Sequence, residues 1–320
     1  MTEQIQEVRM VMRNFAAVAV LASLTLAGSI SCEQKSAEFY AAALGLEKAR
    51  IIVASQIPTG LTVTEFDPEG NFTRTLADYQ AEANGPRGLA PYDALHVAVS
   101  LEGSDRIDLI HLGGGFTNYI QSSFLTGVIG KMIQHPTTKD YYVIEATNAI
   151  ERFEVNGARI PVTGNSFVSG ALAPCAAPAS LRALVFNDAG NVIAVQSGAA
   201  TAFRYTIGNT TASACAAIAA LPSAVNDIIK HSDGNMYWVG INNQVYRSNQ
   251  ALTTNTSIFN NVATIAGPTA LIELPNGDLL IASDTTDSLE VISTSGVYRG
   301  TFHKGVSTQQ IHSLLLVRGQ

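Results

Sequence analysis

The sequence predicts an all-β fold, a six-bladed β-propeller of four-stranded blades, on three observations. From Arg50 onward the chain is a series of short apolar runs broken by Gly, Asn, Asp and Pro, the pattern of strands and turns. A strand–turn–strand text recurs with starts near residues 88, 131, 183, 227, 270 and 312, at spacings of 43, 52, 44, 43 and 42. A four-stranded propeller blade takes about 40–50 residues. The third observation is that the two ends of the repeat region are complementary halves.

The clearest copies are 181–195, 225–239 and 268–283. Each reads as a strand, a tight turn on Ala-Gly-Asn, Asp-Gly or Asn-Gly, and a second strand. Gly and Asn tolerate positive φ, which suits two-residue hairpins. Looser copies run over 88–98 and 131–144. A third strand follows each pair, at 106–110, 150–155, 202–207, 244–247 and 288–292, and a Gly or Asn then introduces a weaker fourth. At the ends, Ile311–Val317 matches only a first strand and Arg50–Ser55 only a second. Leu61–Phe66 and Asn71–Leu76 supply the third and fourth around the turn Asp67-Pro-Glu-Gly70. Pairing the two ends in one blade would close the ring without a free sheet edge. A β-sandwich or barrel predicts neither the spacing nor the half-blades.

Ahead of the repeats, Arg9 and Arg13 precede the apolar run Phe15–Ala27, about the length of a signal-peptide core and short for a membrane span. Met10 and Met12 are alternative starts. Gly28-Ser-Ile-Ser-Cys32 resembles the lipobox of bacterial lipoproteins, whose Cys is lipidated and becomes the mature N-terminus. Ser29 stands where that pattern has Leu. Ordinary cleavage near Ala27–Ser31 is the alternative. The expected organisation is a signal peptide at 1–31, a lipidated Cys32 with a tether or short helix over 32–49, and a propeller over 50–320. The resemblance implies a lipid-anchored protein of the bacterial cell envelope, facing the periplasm or the cell surface.

Composition excludes some functions. With 47% hydrophobic residues the chain can build a core. A net charge of −7 without a basic cluster disfavours nucleic acid, which needs a concentrated cationic footprint. Three cysteines are present; if Cys32 carries lipid, Cys175 and Cys215 remain as an even pair in an oxidising compartment, either bonded or two buried thiols. Cys175 lies in the extra chain around Gly164–Ser180 that lengthens one repeat. Such insertions emerge as loops, often on a binding face.

The strand-turn-strand text resembles the six-bladed propellers of the NHL-repeat and gluconolactonase-like superfamily, over about residues 50–320. In gluconolactonase-like enzymes an Asn at the start of an innermost strand helps bind a divalent cation. Asn226 holds the matching place, with Asp227 beside it. The resemblance would then imply Ca²⁺ or Mg²⁺ in the channel. Thr269 stands where that family has Asp, however, and Gln309-Gln-Ile-His-Ser offers no Glu, so two further acidic ligands are missing. A hydrogen-bonding role at the strand start is the alternative for Asn226 and Asp227.

The starts of the six innermost strands form a ring: Arg87, Lys131, Arg182, Asn226 with Asp227, Thr269 and His312. Turned toward the axis, its three cations would attract an anion, and Arg suits carboxylate or phosphate. Turned outward, they would pair with acids on the rim. Gly113-Gly-Gly115 lacks the Lys-Ser/Thr of a phosphate loop, no Gly-x-Ser-x-Gly elbow occurs, and the six His show no metal-ligand spacing. Asp284 and Asp287 read as solvated turn residues. The functional expectation is a non-catalytic propeller without a cofactor that binds an envelope protein, with a small anion as a further ligand. The alternative is a metal-dependent lactone hydrolase or lyase working in the axial channel.

Overall fold

The computed structural model describes residues 49–304 and 310–318, apart from short stretches at 58–59, 83–84, 105, 122–124, 126–129, 147, 162–165 and 219. The expected signal peptide, Cys32 and most of the tether lie outside the described residues. Blade 1 opens with β1 (Ala49–Ile57), β2 (Gly60–Phe66) and β3 (Phe72–Asp78). Blade 2 is β4 (Gly85–Pro91), β5 (His96–Glu102), β6 (Arg106–His111) and β7 (Phe116–Gln121). Blade 3 is β8 (Met132–Gln134), β9 (Tyr141–Glu145), β10 (Ala149–Phe153) and β11 (Arg159–Ile160). Blade 4 is β12 (Leu181–Phe186), β13 (Val192–Gln196), β14 (Ala202–Ile207) and β15 (Ala212–Ile218). Blade 5 is β16 (Val225–Lys230), β17 (Met236–Gly240), β18 (Val245–Ser248) and β19 (Asn255–Phe259). Blade 6 is β20 (Pro268–Glu273), β21 (Leu279–Ser283), β22 (Ser288–Ile292) and β23 (Tyr298–Lys304), and β24 (Gln310–Arg318) then returns to blade 1.

All six sheets are antiparallel and four-stranded, and the order β24-β1-β2-β3 closes the ring as the half-blades require. Ile51 faces Leu316 and Gln56 faces Gln310 across that seam. The second strands β9, β13, β17 and β21 are buried at every position. Each blade is covered on both faces by its neighbours, so these strands are near-continuous apolar runs and not alternating ones. The core accordingly lies between blades: Val185, Val195, Trp238 and Tyr246, for example, fill the space between blades 4 and 5.

Two expectations are corrected. The turns at Gly190, Gly234 and Gly277 are three-residue loops: each Gly N–H donates to the carbonyl three residues back, and each Gly has φ between 74° and 83°. A left-handed Gly after a type I turn gives this loop. Gly296 shows a different need for Gly, because a Cβ there would sit 1.8 Å from the Ile258 carbonyl oxygen of the preceding blade.

The second correction concerns the inserted segment that carries Cys175. Cys175 and Cys215 are disulfide-bonded, the first of the two alternatives, and Cys215 lies within strand β15. The inserted segment is not simply an outward loop. Val168 bridges Ile150 of blade 3, and the Phe167 carbonyl accepts from Ala212 N–H of blade 4. Phe167, Val168 and Cys175 are buried in the cluster between those blades. The segment plugs the outer part of that junction while keeping its other side, Ser169–Ala171 included, in solvent.

Candidate functional site

The innermost strands begin at one end of the axial channel, here called the mouth. Their pairing with the second strands is irregular there, and the irregularity falls on the ring residues. The pairing skips from Pro86 to Gly88, Leu181 to Ala183, Val225 to Asp227 and Pro268 to Ala270. In β24 it passes from Ile311 to Ser313. In blade 3, Ile144 bonds the backbone of both Gly130 and Lys131. Arg87, Arg182, Asn226, Thr269 and His312 are therefore the extra residues of β-bulges, and Lys131 holds the corresponding place. A bulge re-aims a side chain out of the sheet alternation. Here the contacts run across the axis.

The residue after each bulge meets the next blade. A Cβ on Gly88 would lie 2.6 Å from Met132 N. Ser313 Oγ accepts from Leu89 N–H at 3.2 Å. Asp227 occupies the same position in blade 5 and is fully buried. Its Oδ2 accepts from Leu271 N–H at 3.0 Å and its Oδ1 from Ile228 N–H at 2.8 Å. Lys131, two blades away, forms an ion pair with the same Oδ1. The neighbouring Asn226 donates through Nδ2 to the Pro268 carbonyl at 2.8 Å. Both oxygens of Asp227 are thus engaged by donors. Among the described residues, no group of three or more His, Cys, Asp and Glu is placed to hold a metal ion.

On the other side of the mouth, Arg87 forms an ion pair with Glu102. Its Nη1 lies 2.9 Å from His312 Nδ1, while His312 Nε2 lies 3.2 Å from Gln56 Oε1. The same Nη1 also lies 2.8 Å from His312 Nε2, so a neutral ring accepts from Arg87 at whichever nitrogen carries no hydrogen. Burial, then Arg87 and Arg182, push the His312 imidazole down to about 3, so it is neutral at physiological pH. A group with a depressed basic pKa binds fewer protons folded than unfolded over the interval between the two values. Stability is therefore lost as pH falls below about 6.5. Taking the wild type from pH 6.5 to 5 should cost about 2 kcal/mol through this group. Urea melts at the two pH values should show a smaller loss for His312→Gln by about that difference. Equal losses would place the proton elsewhere.

Arg182 differs from the other cations. Among the described residues it has no ion pair or hydrogen bond, although it is only partly exposed. Burial and the nearby Arg87 pull its guanidinium below the ordinary value, and Asp227, Glu102 and Asp284 act in the opposite sense. Asp227 and Glu102 are committed to Lys131 and Arg87. Asp284 is not a fully solvated turn residue as expected: it is partly buried, and burial followed by Asp287 raises its pKa. Thr269 Oγ1 is buried without a partner among the described residues. The ring predicted from the repeat phase is thus brought together over the axis. Sequence reasoning missed Glu102, Gln56 and the role of Asp284, which enter from second strands and the turn after one of them.

No family model matches this chain, and no curated protein matches it. Solved structures do match. A nidogen/laminin complex aligns at TM-score 0.67 and 13% identity, over 85% of this chain and 99% of that one. A Bacteroides caccae protein of unknown function aligns at 0.60 and 13%, with the same coverage of 85% and 99%. A streptogramin B lyase aligns at 0.52 and 15%, over 67% of each chain. At these identities the likeness shows the fold alone.

Proposed function

We propose that this protein is a non-catalytic, lipid-anchored propeller of the bacterial envelope that binds a small organic anion, a carboxylate, at the mouth of its axial channel. The observation that carries the binding reading is Arg182, a bulge residue of the ring that has no ion pair or hydrogen bond among the described residues, with the Thr269 hydroxyl of the same ring likewise unpartnered among them. Guanidinium matches a carboxylate through two parallel donors, and charge-assisted bonds of this kind exceed neutral ones. The envelope assignment rests on the lipobox resemblance at Cys32. A metal-dependent hydrolase or lyase is less well supported, because Asp227 would have to release Lys131 and two backbone N–H groups to take a cation. A partner protein docked on the insertion is also less well supported, since one side of that segment serves the core.

The test is calorimetric titration of the purified protein with lactate, acetate and inorganic phosphate. A carboxylate should bind at one site. Arg182→Met should weaken it about 10–100-fold, the loss of one or two charged hydrogen bonds. Asp284→Asn should strengthen it, because the uncommitted carboxylate in the field of Arg182 is removed. Binding indifferent to Arg182→Met would overturn the mouth as the site.

A further inference from the structure

Beyond the ring the channel changes character. A cavity of about 390 Å³ begins at Lys131 and runs toward the far face, lined by all six blades through residues such as Leu89, Ile133, Val185, Ile229, Ile272 and Leu315. Small-molecule sites span about 300–1,000 Å³ and are mostly apolar, with a few polar groups that orient the ligand. Its charged lining groups are already neutralised. Lys131 at the inner end is paired with Asp227, and Lys230 toward the far rim is paired with Asp188. Gln134 donates to the Tyr141 hydroxyl at 3.1 Å, and Asn187 Oδ1 accepts from Asn191 N–H at 2.9 Å. Each innermost strand is the first of its sheet, so its inner edge has no partner strand. The edge backbone can still hydrogen-bond a guest.

We propose that this axial cavity is a second binding site, separate from the mouth, for an uncharged and largely apolar small molecule admitted from the far face. The Lys131–Asp227 pair forms its floor and divides it from the polar mouth. A charged guest would lose hydration without gaining a free counter-charge, a cost that burial makes large. An apolar body gains contact with aliphatic side chains, and a single polar group can meet a strand edge. Of the lining residues, Ile133 and Ile229 are only partly buried and expose surface for a guest.

The test uses 1-N-phenylnaphthylamine, an uncharged fluorescent probe, and its anionic sulfonate analogue, titrated into the purified protein. Saturable one-to-one binding of the uncharged probe is expected, with the sulfonate at least tenfold weaker. Ile229→Phe and, independently, Ile133→Phe should each weaken the probe at least tenfold by filling the cavity, with thermal melts showing that the fold persists. Arg182→Met should leave probe binding unchanged, which separates this site from the mouth. Absence of saturable binding, equal binding of the sulfonate, or binding untouched in both folded Phe variants would overturn the proposal.

Discussion

Asp227→Ala is expected to destabilise the propeller by about 3–5 kcal/mol, the range for removing one partner of a buried ion pair. Three donors lose their acceptor at once: the Lys131 ammonium, the Leu271 N–H and the Ile228 N–H. Lys131 is left largely desolvated, with 13% of its side chain exposed. At about 2–4 °C per kcal/mol for a domain approaching this size, the melting temperature should fall by about 10 °C. The double variant Lys131→Met/Asp227→Ala decides the cause. If the stranded charge dominates, removing it should restore more than half of the loss, because an apolar replacement of both partners avoids desolvation. A double variant no more stable than Asp227→Ala would assign the penalty to the two backbone donors. Urea melts of the wild type, Asp227→Ala and the double variant supply the comparison.

That same residue shows what the sequence could and could not convey. Repeat phase placed Arg87, Lys131, Arg182, Asn226, Thr269 and His312 in one ring, because identical phase in a cyclic fold means an equivalent position. Phase cannot show a bulge, which is a departure in pairing and not in residue spacing. Asp227 consequently read as a companion ligand to Asn226, although it stands one step past the bulge, where the next blade passes against it. At the other four bulges the equivalent residues Gly88, Ala183, Ala270 and Ser313 are all small, while Met132 follows Lys131 in blade 3; Asp is tolerated because its oxygens take the next blade's N–H and a lysine. Contacts over the axis are long-range in sequence: Lys131 meets Asp227 over 96 residues and Arg87 meets His312 over 225. Local pattern carries no information at that separation. The isolation of Arg182 is equally illegible, since it depends on where every neighbouring carboxylate is committed.

The ring and the cavity below it make different demands on the same strands. At the mouth each bulge turns a polar side chain to the axis, where Arg87, Glu102 and His312 form a connected set. Past the bulge the ordinary pairing resumes, and side chains such as Val185 and Ile228 are buried between blades 4 and 5. The change from a charged to an apolar lining thus follows the extra residue at the start of five of the six innermost strands. Blade 5 adds the only acid among the residues that follow the bulges, and it sets the depth at which polar gives way to apolar.

Removing the disulfide is the other large expected effect. Cys175 and Cys215 close a loop of sequence separation 40, for which chain entropy of the unfolded state predicts about 4 kcal/mol. Cys175→Ala/Cys215→Ala should therefore lower the melting temperature by about 10 °C. Ala is the substitution of choice because both positions are buried, 4% and 7% exposed, where a Ser hydroxyl would add a desolvation cost. Whether the loss is global depends on what the bond holds. If it merely tied down a surface loop, its removal would free that loop and leave the melt nearly unchanged. Here Phe167 and Val168, on the same segment, share a buried cluster with Tyr142, Ile150, Leu184 and Phe203 from blades 3 and 4. Detaching the segment would expose that junction, so unfolding of the segment and of the two blades should be coupled. Hydrogen exchange reads this directly at the amides of Ala212 and Ile150, which bond to Phe167 and Val168. A lower melting temperature with faster exchange at both amides would establish the plug as part of the core. Faster exchange there, with the melt shifted by less than about 2 °C, would instead show a locally unfolding flap whose release the ring tolerates.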